Sequence, residues 1–331
     1  MTKSSERWLP AGLPGLLGVL ALGELVLLRT GTRTLVHIPG LGRYETPIRI
    51  LAEVGRFAYY LAVVSLVAVL AILAYQGIRT RTPRHVTGGV GALVFLAVAG
   101  AGRLEILAVP VVGWASVVLL VVVTATVWRG LRTLPIGFFV LGWAAAGWTV
   151  LGQGTMGGLS GRQVDTLMLT AEISLLLSAV TAPLLLKGPP PRLAILVGLG
   201  FALVGAAAFV SGSSTLTILI LWNLGVPGWL PGVGYAIALG SLMTTLWSAL
   251  ATDQRLTAIG LMLLTAGGIG TISTYQTGLV LTAVLLFGYA IPGPGRDLTG
   301  TIAESKRADS LVVMTRPTRT PGLPKTPSPV G

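Results

Sequence analysis

The sequence predicts an all-α, polytopic integral membrane helix bundle, and three observations carry that prediction. From Leu9 to Ile291, apolar runs recur with only short polar stretches between them, each close to the ~20 residues a helix needs to cross a ~30 Å hydrocarbon core. Hydrophobic residues make up 53% of the chain and charged residues 10%, which leaves too little polar surface to keep a soluble fold in water. The chain is strongly basic, at +12, but its Lys and Arg lie in short segments between the runs and in the last part of the chain. That placement orients a membrane protein and argues against a nucleic-acid partner.

The first run, Leu9–Leu28, follows Lys3 and Arg7 as a signal peptide would. It is longer than a typical signal h-region and no small-x-small site closes it, so a retained first helix is expected. Nine further spans are expected at Ile48–Gln76, Thr87–Gly102, Ile106–Trp128, Leu134–Gly152, Val164–Leu186, Leu193–Ser211, Gly232–Ala251, Leu256–Ser273 and Gln276–Ile291. One more apolar run, Thr215–Val226, is too short to span, at ~18 Å of helix. It runs into Pro227-Gly228-Trp229-Leu230-Pro231-Gly232. Two prolines so close together each remove an N–H donor and crowd the preceding turn, so a half-helix or re-entrant segment broken from the next span is expected here. The expected architecture is therefore ten transmembrane helices plus one half-helix.

With the N-terminus inside, this arrangement puts 16 Lys and Arg on the inner side and 7 on the outer side. Both termini are then cytoplasmic by the positive-inside rule, and the expected location is the plasma membrane of a prokaryote. Arg29, Arg33 and Arg43, between the first two spans, and Arg49, at the start of the second, run locally against that rule. Counting Thr215–Val226 as a full span would move Arg255 and the basic tail outside, so the charge pattern favours the re-entrant reading. Residues 1–291 form the bundle. Residues 292–331, rich in Pro, Thr, Arg and Lys, cannot bury enough surface to offset their ordering entropy and are expected to be a disordered cytoplasmic tail.

Charge is expensive near the bilayer centre, by ~2.5–3.5 kcal/mol on insertion scales, so intramembrane acids are the first functional candidates. Glu172 lies about midway along the sixth span, with Thr170 and Ser174 beside it and Ser178 one turn further on. Two readings stand: a substrate, cation or proton site, or a hydrogen bond between packed helices. Glu24 lies near the outer end of the first span, and Glu53 and Arg56 are three residues apart at the start of the second, a spacing that lets them pair on one helix face. These three are expected either to anchor helix ends at the interface or to contribute to an outward-facing acidic vestibule with Glu105, Asp165 and Glu172. The break after Val226 is the second candidate, because non-helical backbone at membrane depth survives where protein or water satisfies it. Trp222 and Asn223 precede that break and Tyr235 follows it; their alternative roles are a helix cap and interfacial belt residues.

Other chemistries lack the residues. The absence of cysteine removes disulfides, thiolate metal sites and thiol nucleophiles. His37 and His85 are the two histidines, and the topology puts them on opposite sides, so no metal, haem or other cofactor is expected. Gly88-Gly89-Val90-Gly91 and Gly267-Gly268-Ile269-Gly270 lack the lysine and the strand of a phosphate-binding loop, so close helix packing is their expected role.

Ten spans with short loops and cytoplasmic termini resemble in shape the drug/metabolite transporter superfamily, which is built from two inverted five-helix repeats. Divided after Gly152, this chain has a short glycine-rich third span and an interrupted eighth region at comparable places in its halves, which is the pattern that marks a binding site at a repeat interface. The segment Pro227-Gly228-Trp229-Leu230-Pro231 also resembles part of the broken-helix motif of antiporter-like subunits of respiratory complexes. It lacks that motif's histidine, and no span here carries a lysine. Together these features predict a secondary transporter or ion-translocating protein, not an enzyme, with a small solute or cation as partner. The competing class is a non-catalytic membrane subunit that packs against other membrane proteins or copies of itself.

Overall fold

The structure is a computed structural model, and it describes Leu13 and residues 15–24, 45–155, 159–210, 229–268 and 273–291. All regular structure among these residues is helical. We number the helices α1 (Gly15–Glu24), α2 (Glu45–Thr80), α3 (Pro83–Arg103), α4 (Val109–Val127), α5 (Leu134–Thr155), α6 (Gly161–Thr181), α7 (Arg192–Val210), α8 (Trp229–Ala251), α9 (Arg255–Gly268) and α10 (Thr274–Ala290), with a 3-10 turn at Ala182–Leu185 after α6. Each falls on one of the ten expected apolar runs. Six of them, α2 to α6 and α8, are long and apolar enough to cross a membrane; α1, α7, α9 and α10 are shorter as described. The helical unit ends at Ile291. The tail of residues 292–331 lies outside the described residues, as do His37, Trp222, Asn223 and Thr215–Val226.

Local chemistry sets the helix ends. Thr82 is extended and Pro83 opens α3, because a first-turn residue needs no N–H and proline's fixed φ suits it. Ser160 and Gln163 form a reciprocal capping box at the start of α6, which satisfies two donors that the first turn leaves free. Pro183 lies in the 3-10 turn that ends α6, and Pro189, Pro190 and Pro191 precede α7. The helix expected to begin at Gly232 begins three residues earlier. Trp229 already belongs to α8, and Pro231 occupies its first turn, where proline is tolerated.

Small residues let the helices close. On α3, a Cβ on Gly88 would meet Leu285 of α10, one on Gly89 would meet the backbone of Ala74 on α2, and one on Gly91 would meet Val123 of α4. The cluster expected to pack helices thus faces three of them at once. Contacts between facing residues also give directions. Gly198 meets Thr244 and Gly240, and Gly205 meets Ala236 and Leu239, so α7 and α8 are antiparallel. The end of α7 and the start of α8 therefore lie at the same end of the bundle. Ser241 donates to the Val180 carbonyl at 2.9 Å and Tyr235 meets Glu172, so α6 and α8 run parallel. Helix α10 is the most enclosed element, with Thr277 to Phe287 buried without interruption among α2, α3, α4 and α9.

Candidate functional site

Glu172 and Tyr235, singled out separately in the sequence, meet in the structure. The Tyr235 hydroxyl donates a hydrogen bond to Glu172 Oε1, joining the middle of α6 to the second turn of α8. Helical geometry explains the encounter: Glu172, Leu176 and Ala179 lie at spacings of three and four residues on one face of α6, the face that turns toward α8. Leu176 is the nearest side chain to the position a Cβ on Gly234 would take, at 3.9 Å. Both Glu172 and Tyr235 are half-buried.

The stripe expected around Glu172 divides into separate environments. Ser174 and Ser178 are buried on the α5 side, where Ser174 lies against Gly142 and Ser178 donates to the Pro135 carbonyl at 2.7 Å. Thr170 is exposed and donates to the Thr166 carbonyl within its own helix at 2.7 Å. A two-residue step on a helix turns a side chain by ~200°, which is why neither Thr170 nor Ser174 faces the α8 side with the carboxylate. Inward from Glu172, Leu175, Ser178 and Ala179 line a cleft of about 170 Å³ that also reaches Leu242 of α8 and Leu261 of α9. Among the described residues no acidic side chain lines it.

Glu24 is enclosed between helices. It is 1% exposed, and Oε1 accepts a hydrogen bond from the Tyr275 hydroxyl at the start of α10. Its other oxygen, Oε2, has no hydrogen-bond partner among the described residues. Gly23 permits this burial, since a Cβ there would come within 3.0 Å of Ala62 and 3.1 Å of the Ala58 carbonyl on α2. Tyr59 covers Tyr275 at 5.5 Å between ring centroids. Tyr275 is the residue that sequence reasoning missed. The available signal was a tyrosine at the start of a span, which like any polar group in a span needs a partner. By contrast, Glu53 and Arg56 form an exposed ion pair at 3.2 Å, and their accessibilities of 60% and 63% place them in the weak surface class. Glu105 and Asp165 are exposed. The five acids expected to form one vestibule therefore occupy different surroundings, and only Glu24 and Glu172 bridge helices.

The buried pair makes a direct prediction. Tyr275→Phe removes the donor to a carboxyl already short of partners, so it should destabilise the bundle by about 1–3 kcal/mol. Tyr59→Phe should change little. Thermal unfolding of the detergent-solubilised protein measures both, and equal melting temperatures for the two variants would show that the Glu24 contact contributes nothing.

Among the described residues no group of three or more His, Cys, Asp or Glu side chains is arranged to hold a metal ion. The fold and site together define an all-helical integral membrane protein with carboxyl–phenol pairs between its helices. No family model, curated protein or solved structure matches this chain.

Proposed function

We propose that this chain is a secondary transporter or ion-translocating protein whose pathway for a small solute or cation passes Glu172 between α6 and α8. The observation that carries the reading is the Tyr235–Glu172 hydrogen bond. It joins the acid in the middle of α6 to the second turn of α8, the helix that carries Pro231 in its first turn. A carboxylate held by a phenol can exchange that donor for a cation or a proton, and the exchange would loosen α6 from α8. In this reading all ten helices span the membrane, the two halves α1–α5 and α6–α10 form a repeat, and both termini are cytoplasmic. Turns rich in Lys and Arg support that orientation. Arg84 and Arg129 in successive turns lie within each other's field, and the Lys187 N–H donates to Gln254 Oε1 at 3.1 Å.

The test is ion-dependent stabilisation of the purified protein, read as melting temperature against Na⁺, K⁺ and pH. Wild type should be stabilised by its coupling ion. Glu172→Gln should lose that response while keeping the basal melting temperature, because the amide retains shape and hydrogen-bonding capacity without the charge. An unchanged ion response in Glu172→Gln, with lowered stability only in Glu172→Leu, would reduce the pair to a helix-packing contact and favour the membrane-subunit reading.

A further inference from the structure

The basic end of the bundle contains polar groups that the transport reading does not use. The start of α3 lies beside the end of α4, because the two helices pack antiparallel, with Gly102 against Val112 and Gly91 against Val123. The α2–α3 turn, with Arg81 at φ 48°, and the α4–α5 turn, with Gly130 at φ 69°, are therefore neighbours. In the second turn the Arg129 backbone N–H donates to Thr133 Oγ1 at 2.8 Å, and Nη1 donates to the Trp128 carbonyl at 3.1 Å. Among the described residues, Arg129 Nε is buried with no partner, and so is Thr82 Oγ1 in the first turn.

Among the described residues no acidic side chain is paired with these groups. Burial and the nearby Arg84 guanidinium both push the Arg129 pKa below its ordinary value, the sign expected for two cations held together without an anion. In this sequence Asp253 is the acidic residue of the four basic turns at this end, and it is paired with Arg255 at 2.7 Å. A buried unpartnered donor costs free energy that an acceptor would return. Guanidinium groups match phosphate oxygens better than any other side chain.

What lies along α4 next to Arg129 selects the source of the phosphate. Val118, Val121, Val122 and Ala125 are exposed and recur at helical spacing, forming an apolar stripe that leads to Trp128, which is 42% exposed. Tryptophan at the end of such a stripe marks the headgroup level of a bilayer. We infer that Arg84 and Arg129, with Thr82, form a binding site for the phosphate of an anionic phospholipid, whose acyl chains lie along the exposed face of α4. Apolar wall and cationic head stand in the order that a lipid presents its tail and phosphate.

The experiment measures thermal stabilisation of the purified full chain in mild detergent, titrated with phosphatidylglycerol, phosphatidylcholine or inorganic phosphate. Wild type should be stabilised by phosphatidylglycerol and not by the other two. Arg84→Gln/Arg129→Gln should need ~10-fold more phosphatidylglycerol for the same shift, the scale expected when charge-assisted hydrogen bonds are lost. Lys187→Gln/Arg192→Gln removes the same charge from the same end and should respond as wild type. Equal losses in both double variants would overturn the site in favour of diffuse attraction. Stabilisation by inorganic phosphate alone would overturn the lipid and assign the site to a soluble phosphate compound. Should the double variant fail to fold, the exposed Arg84→Gln alone serves, with the same weakening expected and a wild-type response counting against the site.

Discussion

Replacing Gly77 with alanine is expected to open the α2–α3 hairpin and to lower the stability of the bundle by at least the ~1–3 kcal/mol typical of overpacking. The new Cβ would lie 2.1 Å from the His85 carbonyl oxygen, 3.0 Å from the Gly89 nitrogen and 3.1 Å from the Gly89 Cα. All three are backbone atoms, so no side-chain rotation relieves the overlap. From the other side, a Cβ on Gly89 would lie 2.7 Å from the Ala74 carbonyl oxygen, which shows that the two backbones touch through both glycines. Gly100→Ala on α3 is the matched control. Nothing lies within 4 Å of its Cβ position, and the exchange should be neutral or stabilising by up to ~1 kcal/mol through helix propensity. Thermal unfolding in detergent should separate the two variants clearly; indistinguishable melting temperatures would mean that the hairpin is looser than described.

The contrast between these glycines shows what the sequence conveys in a bilayer. That the glycine cluster at residues 88–91 packs helices was legible, since small residues are what allow backbones to approach in lipid. That its glycines face three different helices was not, because contact partners depend on rotations that a nearly uniform apolar pattern does not encode. Helix α10 makes the same point more sharply. Its residues Leu279 to Phe287 are apolar or small on every face, which in water would imply a buried helix. In a membrane such a helix can equally face lipid, and only the structure shows that it is enclosed. Polar residues carry the information that apolar ones lose. Glu172 and Tyr235 were legible as candidates because an acid within a span and a tyrosine after a proline break both need explaining. Their meeting was not legible, since it depends on α6 and α8 running parallel across an interval that itself read ambiguously. The enclosure of Glu24 was not legible for a related reason. Its place near a helix end suggested the interface, but Gly23 on the preceding position brings α1 against α2 closely enough to enclose it.

The enclosure of α10 also implies that Gly260 and Phe287 are energetically coupled. Phe287 is fully buried, and a Cβ on Gly260 of α9 would lie 2.9, 3.0 and 3.2 Å from its Cζ, Cε1 and Cε2 atoms. A ring held on all sides cannot swing away, so Gly260→Ala should cost ~1–3 kcal/mol. Phe287→Ala should cost ~3–5 kcal/mol in a soluble core. Here the lower part of that range is expected, because the unfolded reference keeps the ring in hydrocarbon and only packing is lost. Phe287→Leu shortens the side chain where the new methyl would enter, so Gly260→Ala/Phe287→Leu should be more stable than the sum of its single variants by ~0.5–3 kcal/mol, the range for residues in direct contact. Strict additivity in that cycle would mean that α9 can shift relative to α10 and that the clash is relieved by moving the helix. The size of the coupling therefore reports whether α10 is held rigidly, as the continuous burial from Thr277 to Phe287 requires.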